Sequence, residues 1–207
     1  MGKTASTRER ILDQGLALMS QSGLEAVTLG VLAGQVGMSK SGLFAHFRSK
    51  EEVQISLLEH TAVVGAAHIV APSMKKPEGL PRLKALVSNW FGWAPRAGLP
   101  GGCPLAAGLF EFDDIEGPVR RKVLEMEAEW RGLLTKTVNE AIAIGHLRAD
   151  LDAAQFVFEL CGIYLSHHAA QRFLRSPDAD RRARTAFEAL LERAAPVPQK
   201  KRPGKLR

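Results

Sequence analysis

Cysteine is scarce in this sequence of 207 residues, and long apolar runs are absent from it. The two cysteines, Cys103 and Cys161, are too few for a disulfide framework and have no partners at metal-ligand spacing, so we expect reduced thiols and no metal site. No stretch reaches about 18 consecutive apolar residues, which predicts no membrane span. The first residues, MGKTAS, contain no apolar segment, so we expect no secretory signal and a cytoplasmic location.

Motifs of common enzymes are missing as well. The sequence has no Gly-x-Ser-x-Gly, no His-Glu-x-x-His and no phosphate-binding loop, and Cys103 has no recognisable general base. His167 and His168 are adjacent, so on a helix their side chains point in different directions and do not form a metal site by themselves. These absences predict a protein that is not an enzyme and that needs no cofactor.

The formal charge of +6 is concentrated at the C-terminus. Residues 196–207 carry five basic residues and no acidic one, whereas the rest of the chain is nearly neutral. A segment of this composition is expected to be a disordered basic tail. Net charge therefore says little about DNA binding, which has to be inferred from a motif.

Strand signals are absent too, since no run alternates with period two and no Asn-Gly turn occurs. Helix signals are frequent. Ser6 with Glu9 and Ser49 with Glu52 form capping boxes, and Gly23 is a typical helix terminator. We therefore predict an all-α fold of about nine helices, over residues 7–22, 29–36, 40–47, 50–70, 80–93, 104–111, 118–144, 153–174 and 177–195.

Two short predicted helices, at residues 29–36 and 40–47, are joined by the three-residue turn Gly37-Met38-Ser39. This is a helix-turn-helix arrangement, in which the second helix stands out so that its first residues reach base edges in the major groove. Those first residues are small or basic here, as close approach to DNA requires. On its own the pattern is only moderately specific, because many short helix pairs do not bind DNA.

A longer stretch makes the pattern specific. The segments Thr7 to Leu12, Val27 to Leu29 and Gly37 to Glu52, with the core Ser-Lys…Leu-Phe-x-His-Phe-x-Ser-Lys-Glu, resemble the DNA-binding domain of TetR-family repressors. The resemblance in sequence covers residues 6 to about 60. Beyond them only the expected all-helical architecture is similar to the family. The resemblance implies a three-helix DNA-binding domain over residues 1–52, a helical ligand-binding and dimerisation domain over 53–195 and the tail.

The resemblance implies DNA contacts at eight positions. Thr28 would bond a phosphate at the start of the second helix, His46 and Lys50 would hold the DNA backbone, and the start of the third helix would face the groove. Glycine often stands at the position of Ser41 in the family, so base contacts are expected to differ here. The eight residues are Thr28, Ser39, Lys40, Ser41, Gly42, Phe44, His46 and Lys50.

Six of these residues also have an ordinary structural interpretation, and for His46 it is a cap of the C-terminal turn of the third helix. Thr28 and Ser39 cap helices with or without DNA, and Lys40 and Lys50 would otherwise be surface lysines. Phe44 stands where the family usually has tyrosine, so a phenolic bond to phosphate is lost and a core position is the alternative.

Aromatic side chains of the second domain are candidates for an effector pocket, although aromatics fill cores more often than they touch ligands. Trp93 and Phe112 are among these candidate aromatics but are not assigned to ligand binding. The residues assigned to ligand binding are Trp90, Phe91, Cys103, Phe110, Trp130, Phe158 and Tyr164.

The last two predicted helices are expected to form a homodimer interface. The helix over residues 153–174 is apolar nearly all round, which indicates burial on more than one face. The resemblance places this helix between the pocket and a partner subunit. In the last helix Ala183, Phe187, Leu190 and Ala194 lie on one apolar seam, which suits helix–helix packing.

These features predict a sequence-specific DNA-binding regulator, a repressor that a small-molecule effector releases from a palindromic operator. The expected partners are double-stranded operator DNA, a second copy of the chain and the effector, with no membrane. Activation instead of repression stays open, because the same motif serves both.

Two other functions stay open. One is an architectural DNA-binding protein without ligand control. The other is a thiol-based electrophile or redox sensor acting through Cys103, which precedes Pro104 and is therefore a predicted helix N-cap, where the helix dipole favours a thiolate. In this interpretation Gly101 and Gly102 leave the approach to the thiol open.

Overall fold

The computed structural model describes residues 6–196. Across these residues all regular structure is helical, as predicted, and no strand occurs. The predicted tail, apart from Pro196, lies outside the described residues. In chain order the helices are α1 (Thr7–Ser22), α2 (Leu29–Val36), α3 (Lys40–Phe44), α4 (Lys50–Gly65), a π turn (Ala66–Val70), α5 (Ala71–Met74), α6 (Leu80–Trp90), α7 (Trp93–Arg96), α8 (Pro104–Glu111), α9 (Pro118–Ala143), α10 (Ala153–Arg172) and α11 (Ala179–Ala194).

Local capping signals set the first helix. The Ser6 hydroxyl accepts a hydrogen bond from the Glu9 N–H at 3.2 Å, and the Glu9 carboxylate accepts one from the Ser6 N–H at 2.6 Å, so the predicted capping box is present. The buried side chains Ile11, Leu16 and Met19 lie on the inner face of α1, which packs against α2 and α4. This packing fixes the small N-terminal domain on the start of α4.

A proline does not end the fourth helix, in contrast to the prediction. The chain passes from α4 through the π turn into α5, which contains Pro72. A proline ring has no N–H to donate and collides with the carbonyl four residues earlier in a regular α-helix. The wider π turn immediately before Pro72 is the local rearrangement that lets the helix continue.

Within residues 6–196, the segment Lys50–Met74 is the one helix whose length and apolar composition would suffice to cross a membrane. Its first turn carries charged residues, and its buried side chains, including Leu57 and Leu58, pack into the interior. It contacts α1, α6 and α9 along its course. This is the pattern of a core helix, and the absence of a membrane partner stays a prediction.

Glycine divides the predicted helix over residues 80–93. Phe91 adopts an extended conformation, with ψ of 120°, which ends α6, and Gly92 follows in the left-handed conformation, with φ of 67°, at the start of the short helix α7. The left-handed region costs little for glycine but is unfavourable for residues with a side chain. The segment predicted as a loop from residue 95 therefore begins with helical structure.

The last two helices, α10 and α11, pack against each other along much of their length. Phe187 and Leu190 of α11 are only 8% and 3% exposed within a single chain. The apolar seam that predicted a dimer interface is therefore already buried inside the subunit. The face that α10 and α11 expose to solvent is formed by residues outside this seam.

Candidate functional site

The turn between α2 and α3 has the geometry that a helix-turn-helix requires. The Thr28 hydroxyl caps α2 by accepting from the Val31 N–H at 3.2 Å, and the Ser39 hydroxyl caps α3 by accepting from the Gly42 N–H at 3.0 Å. Gly37 has φ of 68°, a left-handed conformation that turns the chain sharply after α2. Both predicted caps are thus present.

The residues assigned to DNA contact lie on the outer side of this unit. Leu43 is fully buried beneath α3, so the opposite side of the helix faces solvent. Phe44 is 49% exposed, which does not fit a core position and leaves its ring available for apolar contact with DNA, such as a thymine methyl group. Thr28, Ser39, Lys40, Ser41 and Phe44 are exposed, whereas Gly42, His46 and Lys50 are half-buried.

Lys40 lies over the start of α2. A Cβ atom added at Gly30 would be 3.5 Å from the Lys40 Nζ and 3.9 Å from the Thr28 Oγ1, so the ammonium and the hydroxyl share the open side of this glycine. A helix N-terminus also presents N–H groups without intrahelical partners. A cation, a hydroxyl and free N–H groups together suit a DNA phosphate.

Arg8 of α1 holds the end of the recognition unit, a role that the sequence did not reveal. Its guanidinium donates to the His46 carbonyl at 2.8 Å and to the Ser56 Oγ at 3.0 Å. It also lies 4.4 Å from the centroid of the Phe47 ring. One side chain therefore connects α1, the segment after α3, and α4. The contacts are distant in sequence, so periodicity gives no signal for them.

Replacing Arg8 with lysine should loosen this unit. Lysine keeps the charge but loses the planar fork, so at least one of the two hydrogen bonds is broken. We expect the free energy of unfolding to fall by about 1 kcal/mol. DNA affinity should also fall, with an unchanged salt dependence, because lysine keeps the positive charge. Chemical denaturation and fluorescence anisotropy measure the two effects. Arg10→Lys on the same helix is the control, and a free energy of unfolding that Arg8→Lys leaves unchanged would contradict the positioning role.

Lys50, at the start of α4, forms an ion pair with Glu25 in the loop between α1 and α2. The hydrogen bond from the Lys50 ammonium is the main cause that lowers the pKa of the Glu25 carboxyl. The Gln54 side chain holds the same loop by donating to the Leu24 carbonyl at 3.0 Å. Lys50 therefore has an internal partner in the absence of DNA, and a phosphate contact requires exchange of that partner.

Lys50→Ala should weaken binding about equally on all DNA sequences. If Lys50 neutralises one phosphate, the slope of log K against log salt should become shallower by about one unit. Anisotropy titrations at several salt concentrations measure this slope. Lys136→Ala, an exposed lysine on α9, is the control. An unchanged slope for Lys50→Ala would show that Lys50 does not contact phosphate.

Four of the predicted ligand-binding aromatics meet in the interior of the second domain. The Trp90 ring stacks on Tyr164 with centroids 3.8 Å apart and meets Trp130 edge to face at 4.9 Å, and Phe91 stacks on His167 at 5.2 Å. Cys103 adjoins the Tyr164 hydroxyl. We call the set Trp90, Phe91, Trp93, Cys103, Trp130 and Tyr164 the aromatic core.

The aromatic core contains hydrogen-bond donors without acceptors. The indole Nε1 atoms of Trp93 and Trp130 are buried and have no acceptor at hydrogen-bond geometry within residues 6–196, although the Trp93 side chain adjoins the Tyr164 hydroxyl. Burial raises the pKa of Tyr164 well above its usual value, so its hydroxyl remains protonated. An unpaired buried N–H costs roughly 1–3 kcal/mol, so such groups in a native protein call for an explanation.

Phe110 and Phe158 do not belong to this core, in contrast to the prediction. They are 65% and 67% exposed. In α10 the buried residues Phe156 and Leu160 are four positions apart on one face, and Phe158, two positions from each, points to the other side. Apolar character alone did not distinguish the two faces.

The two thiols are both buried. Burial raises the pKa of the Cys161 thiol to about 11, which makes it unreactive. Cys103 is 6% exposed, and the preceding Gly101 and Gly102 are buried against α1. The Cys103 side chain is therefore almost completely covered, which disfavours the sensor interpretation.

A turn-linked helix pair, an exposed third helix and a lysine beside the start of α2 are the features of a helix-turn-helix DNA-binding regulator. Comparison with known families agrees with this class. The model for "Bacterial regulatory proteins, tetR family" matches residues 11–56, and the model for "Tetracyclin repressor-like, C-terminal domain" matches residues 79–187. The chain belongs to the TetR family of DNA-binding regulators, whose members typically form dimers.

Relatives that match most of the chain are known. The nucleoid occlusion factor SlmA of Cronobacter sakazakii is 31% identical over 185 residues, which cover 86% of this chain and 90% of that protein. SlmA of Escherichia coli is 29% identical over the same shares.

Solved structures share the fold. A TetR transcriptional regulator from Chloroflexus aurantiacus superposes with a TM-score of 0.79 at 24% identity, covering 90% of this chain and 92% of that one. AibR, in complex with isovaleryl coenzyme A and operator DNA, superposes with a TM-score of 0.67 at 17% identity, covering 87% and 97%. At these identities the likeness concerns the fold.

Proposed function

We propose that the protein is a dimeric repressor that binds a palindromic operator and is released by a small molecule. The observation that carries the DNA part is the exposed start of α3 beside the site formed by Lys40 and Thr28. Residues 1–52 act as the DNA-binding unit and residues 53–195 as the sensing and dimerisation unit. Such a protein works on DNA in the cytoplasm.

Dimerisation is assigned to the exposed face of α10 and α11. A groove of about 580 Å³ runs between these helices and is lined by small residues, among them Gly162, Ala170, Ala186 and Ala189. Small side chains let two helix pairs approach closely, and a two-fold axis brings the same face of each subunit together. Phe158 lies four residues before Gly162 on this face, so it contributes to the interface instead of a ligand pocket.

Control by a small molecule is supported by the aromatic core. The unpaired indole N–H groups of Trp93 and Trp130 would be satisfied by an acceptor on a bound molecule. AibR, a structural neighbour of the same fold, was solved with both a ligand and operator DNA. The aromatic core is therefore proposed as an effector site for a molecule with a carbonyl or a similar acceptor.

Selection of bound sequences from random DNA tests the proposal. A dimer with two equivalent recognition helices should select an imperfect palindrome whose half-sites are about 34–36 Å apart. A screen of small molecules that release this DNA then tests the control. A selected site without dyad symmetry would contradict the dimeric repressor.

A second candidate function is DNA binding without ligand control. It is favoured by the similarity to nucleoid occlusion factors over most of the chain. It is also favoured by the close stacking of Trp90 on Tyr164, because rings in direct contact leave no space between them for a ligand. Genome-wide occupancy distinguishes the two candidates. Many dispersed sites and no compound that releases DNA would favour the second, whereas a few sites at promoters and release by a compound would favour the first.

A further inference from the structure

A groove separates the DNA-binding unit from the second domain. Its volume is about 580 Å³. One wall is formed by the last turn of α1 and the loop to α2, and the other by α8 and the last turns of α10. We call it the junction groove. It is distinct from the aromatic core, although Cys103 contributes to both.

The charges on its walls are not all paired. Glu25 is paired with Lys50, whereas the Glu111 carboxylate accepts a hydrogen bond from the Glu25 N–H at 2.9 Å and keeps its negative charge. Arg172 makes no ion pair within residues 6–196. Its side chain lies against Gly102, where an added Cβ atom would be 3.1 Å from the Arg172 Nε. Arg172 is therefore a cation in the groove that has no ion-pair partner among the described residues and is open to an added anion.

The surroundings of Arg172 favour an anion with an apolar body. His168, one turn before Arg172, lines the same wall, and burial is the main cause that lowers its pKa, so the ring is neutral near pH 7 and adds hydrogen bonding without charge. Met19, Ala107 and Cys103 give the rest of the groove an apolar surface. A guanidinium binds a carboxylate through two parallel hydrogen bonds, which is its most specific interaction.

We propose that the junction groove is an effector site for a small organic carboxylate, whose acid group pairs with Arg172 beside His168. The apolar body of the ligand lies on Met19 and Ala107. This inference rests on the proposed control of DNA binding by a small molecule, and it names the ligand class and a second place where that control acts.

The position of the groove connects its occupant to the DNA contacts. On one side the Ser20 carbonyl and hydroxyl accept hydrogen bonds from the Gly102 N–H at 2.8 Å and the Gly101 N–H at 3.0 Å. On the other side Glu111 holds the loop at Glu25, whose carboxylate pairs with Lys50. A ligand that separates these walls therefore displaces the segment that positions Lys50.

Calorimetric titration of the full-length protein tests the site with two matched probes. 4-Phenylbutyrate and 4-phenylbutan-1-ol have the same apolar body and differ in the acid group. We expect the acid to bind with a Kd of about 1 mM or lower and the alcohol to bind at least about tenfold more weakly. Arg172→Gln should reduce acid binding about tenfold, whereas Arg121→Gln, an exposed arginine on α9, should leave it unchanged. A melting curve of each variant confirms folding.

DNA binding is then measured with and without each probe. The acid should weaken DNA binding by the wild-type protein and by Arg121→Gln, but not by Arg172→Gln. Equal binding of acid and alcohol, acid binding that survives Arg172→Gln, or Arg172-dependent binding that leaves DNA affinity unchanged would overturn the proposal. DNA binding in the absence of any probe reports separately on the proposed repressor function.

Discussion

Ala186→Arg is expected to convert the protein into a folded monomer that has lost most of its affinity for a palindromic operator. Ala186 is exposed on α11 and lines the groove between α10 and α11. A two-fold axis places every interface residue in the contact twice, so the variant brings two buried charges into the dimer, next to Arg182 of each subunit. A monomer holds one half-site only, and the loss of the linked second contact should weaken binding about 100-fold or more.

Sedimentation velocity and anisotropy on the same samples measure this prediction. Phe187→Arg is the matched control, because the neighbouring side chain points into the subunit and is 8% exposed. Loss of a buried phenylalanine costs about 3–5 kcal/mol, so Phe187→Arg should unfold the subunit. Ala186→Arg should keep the helical circular dichroism of the wild-type protein. A stable dimer of Ala186→Arg would exclude this face as the interface.

The contrast between these two neighbours shows what the sequence can predict about the second domain. An apolar seam at helical spacing indicates that a helix face is buried, but not whether its own subunit or a partner covers it. Here Phe187 and Leu190 are buried within their own subunit. The residues proposed for the interface, such as Gly162 and Ala186, are small, and they give no hydrophobic signal in the sequence.

The DNA-binding unit was predictable in more detail, because its signals are local. Helix caps act within three residues, so Thr28 and Ser39 could be assigned from their neighbours and were found as predicted. The contacts that brace the unit are not local. Arg8 meets a carbonyl 38 residues away, and Gly101 meets a hydroxyl 81 residues away. No periodic pattern predicts such pairs, and only the fold brings them together.

Gly101→Ala should separate the second domain from the DNA-binding unit. A Cβ atom at this position would lie 1.7 Å from the Ser20 carbonyl oxygen and 2.6 Å from the Gln21 nitrogen. Both are backbone atoms of α1, so no side-chain rotation can make room. The loop before α8 must then move away from α1, which breaks the buried hydrogen bond from the Gly101 N–H to Ser20 and the one from the Gly102 N–H.

We expect Gly101→Ala to lower the free energy of unfolding by about 2–4 kcal/mol, since two hydrogen bonds and the contact around them are lost. DNA affinity should fall as well, because the α1–α2 loop and Lys50 lose their support. Denaturant titration and anisotropy measure the two effects, and hydrogen exchange of the Gly102 amide reports directly on the broken contact.

Alanine substitutions at two other glycines serve as comparisons with smaller expected effects on stability. An added Cβ at Gly102 would be 2.6 Å from an atom of the His168 side chain, which can rotate, so Gly102→Ala should be milder. Gly132 in α9 has nothing within 4 Å of such an atom, so Gly132→Ala should stabilise the helix by up to about 1 kcal/mol. An added Cβ atom therefore has a different cost at each of the three glycines, and the atoms that lie opposite it set that cost. If Gly101→Ala is as stable as Gly132→Ala, the loop does not rest on α1, and the junction groove loses one of its walls.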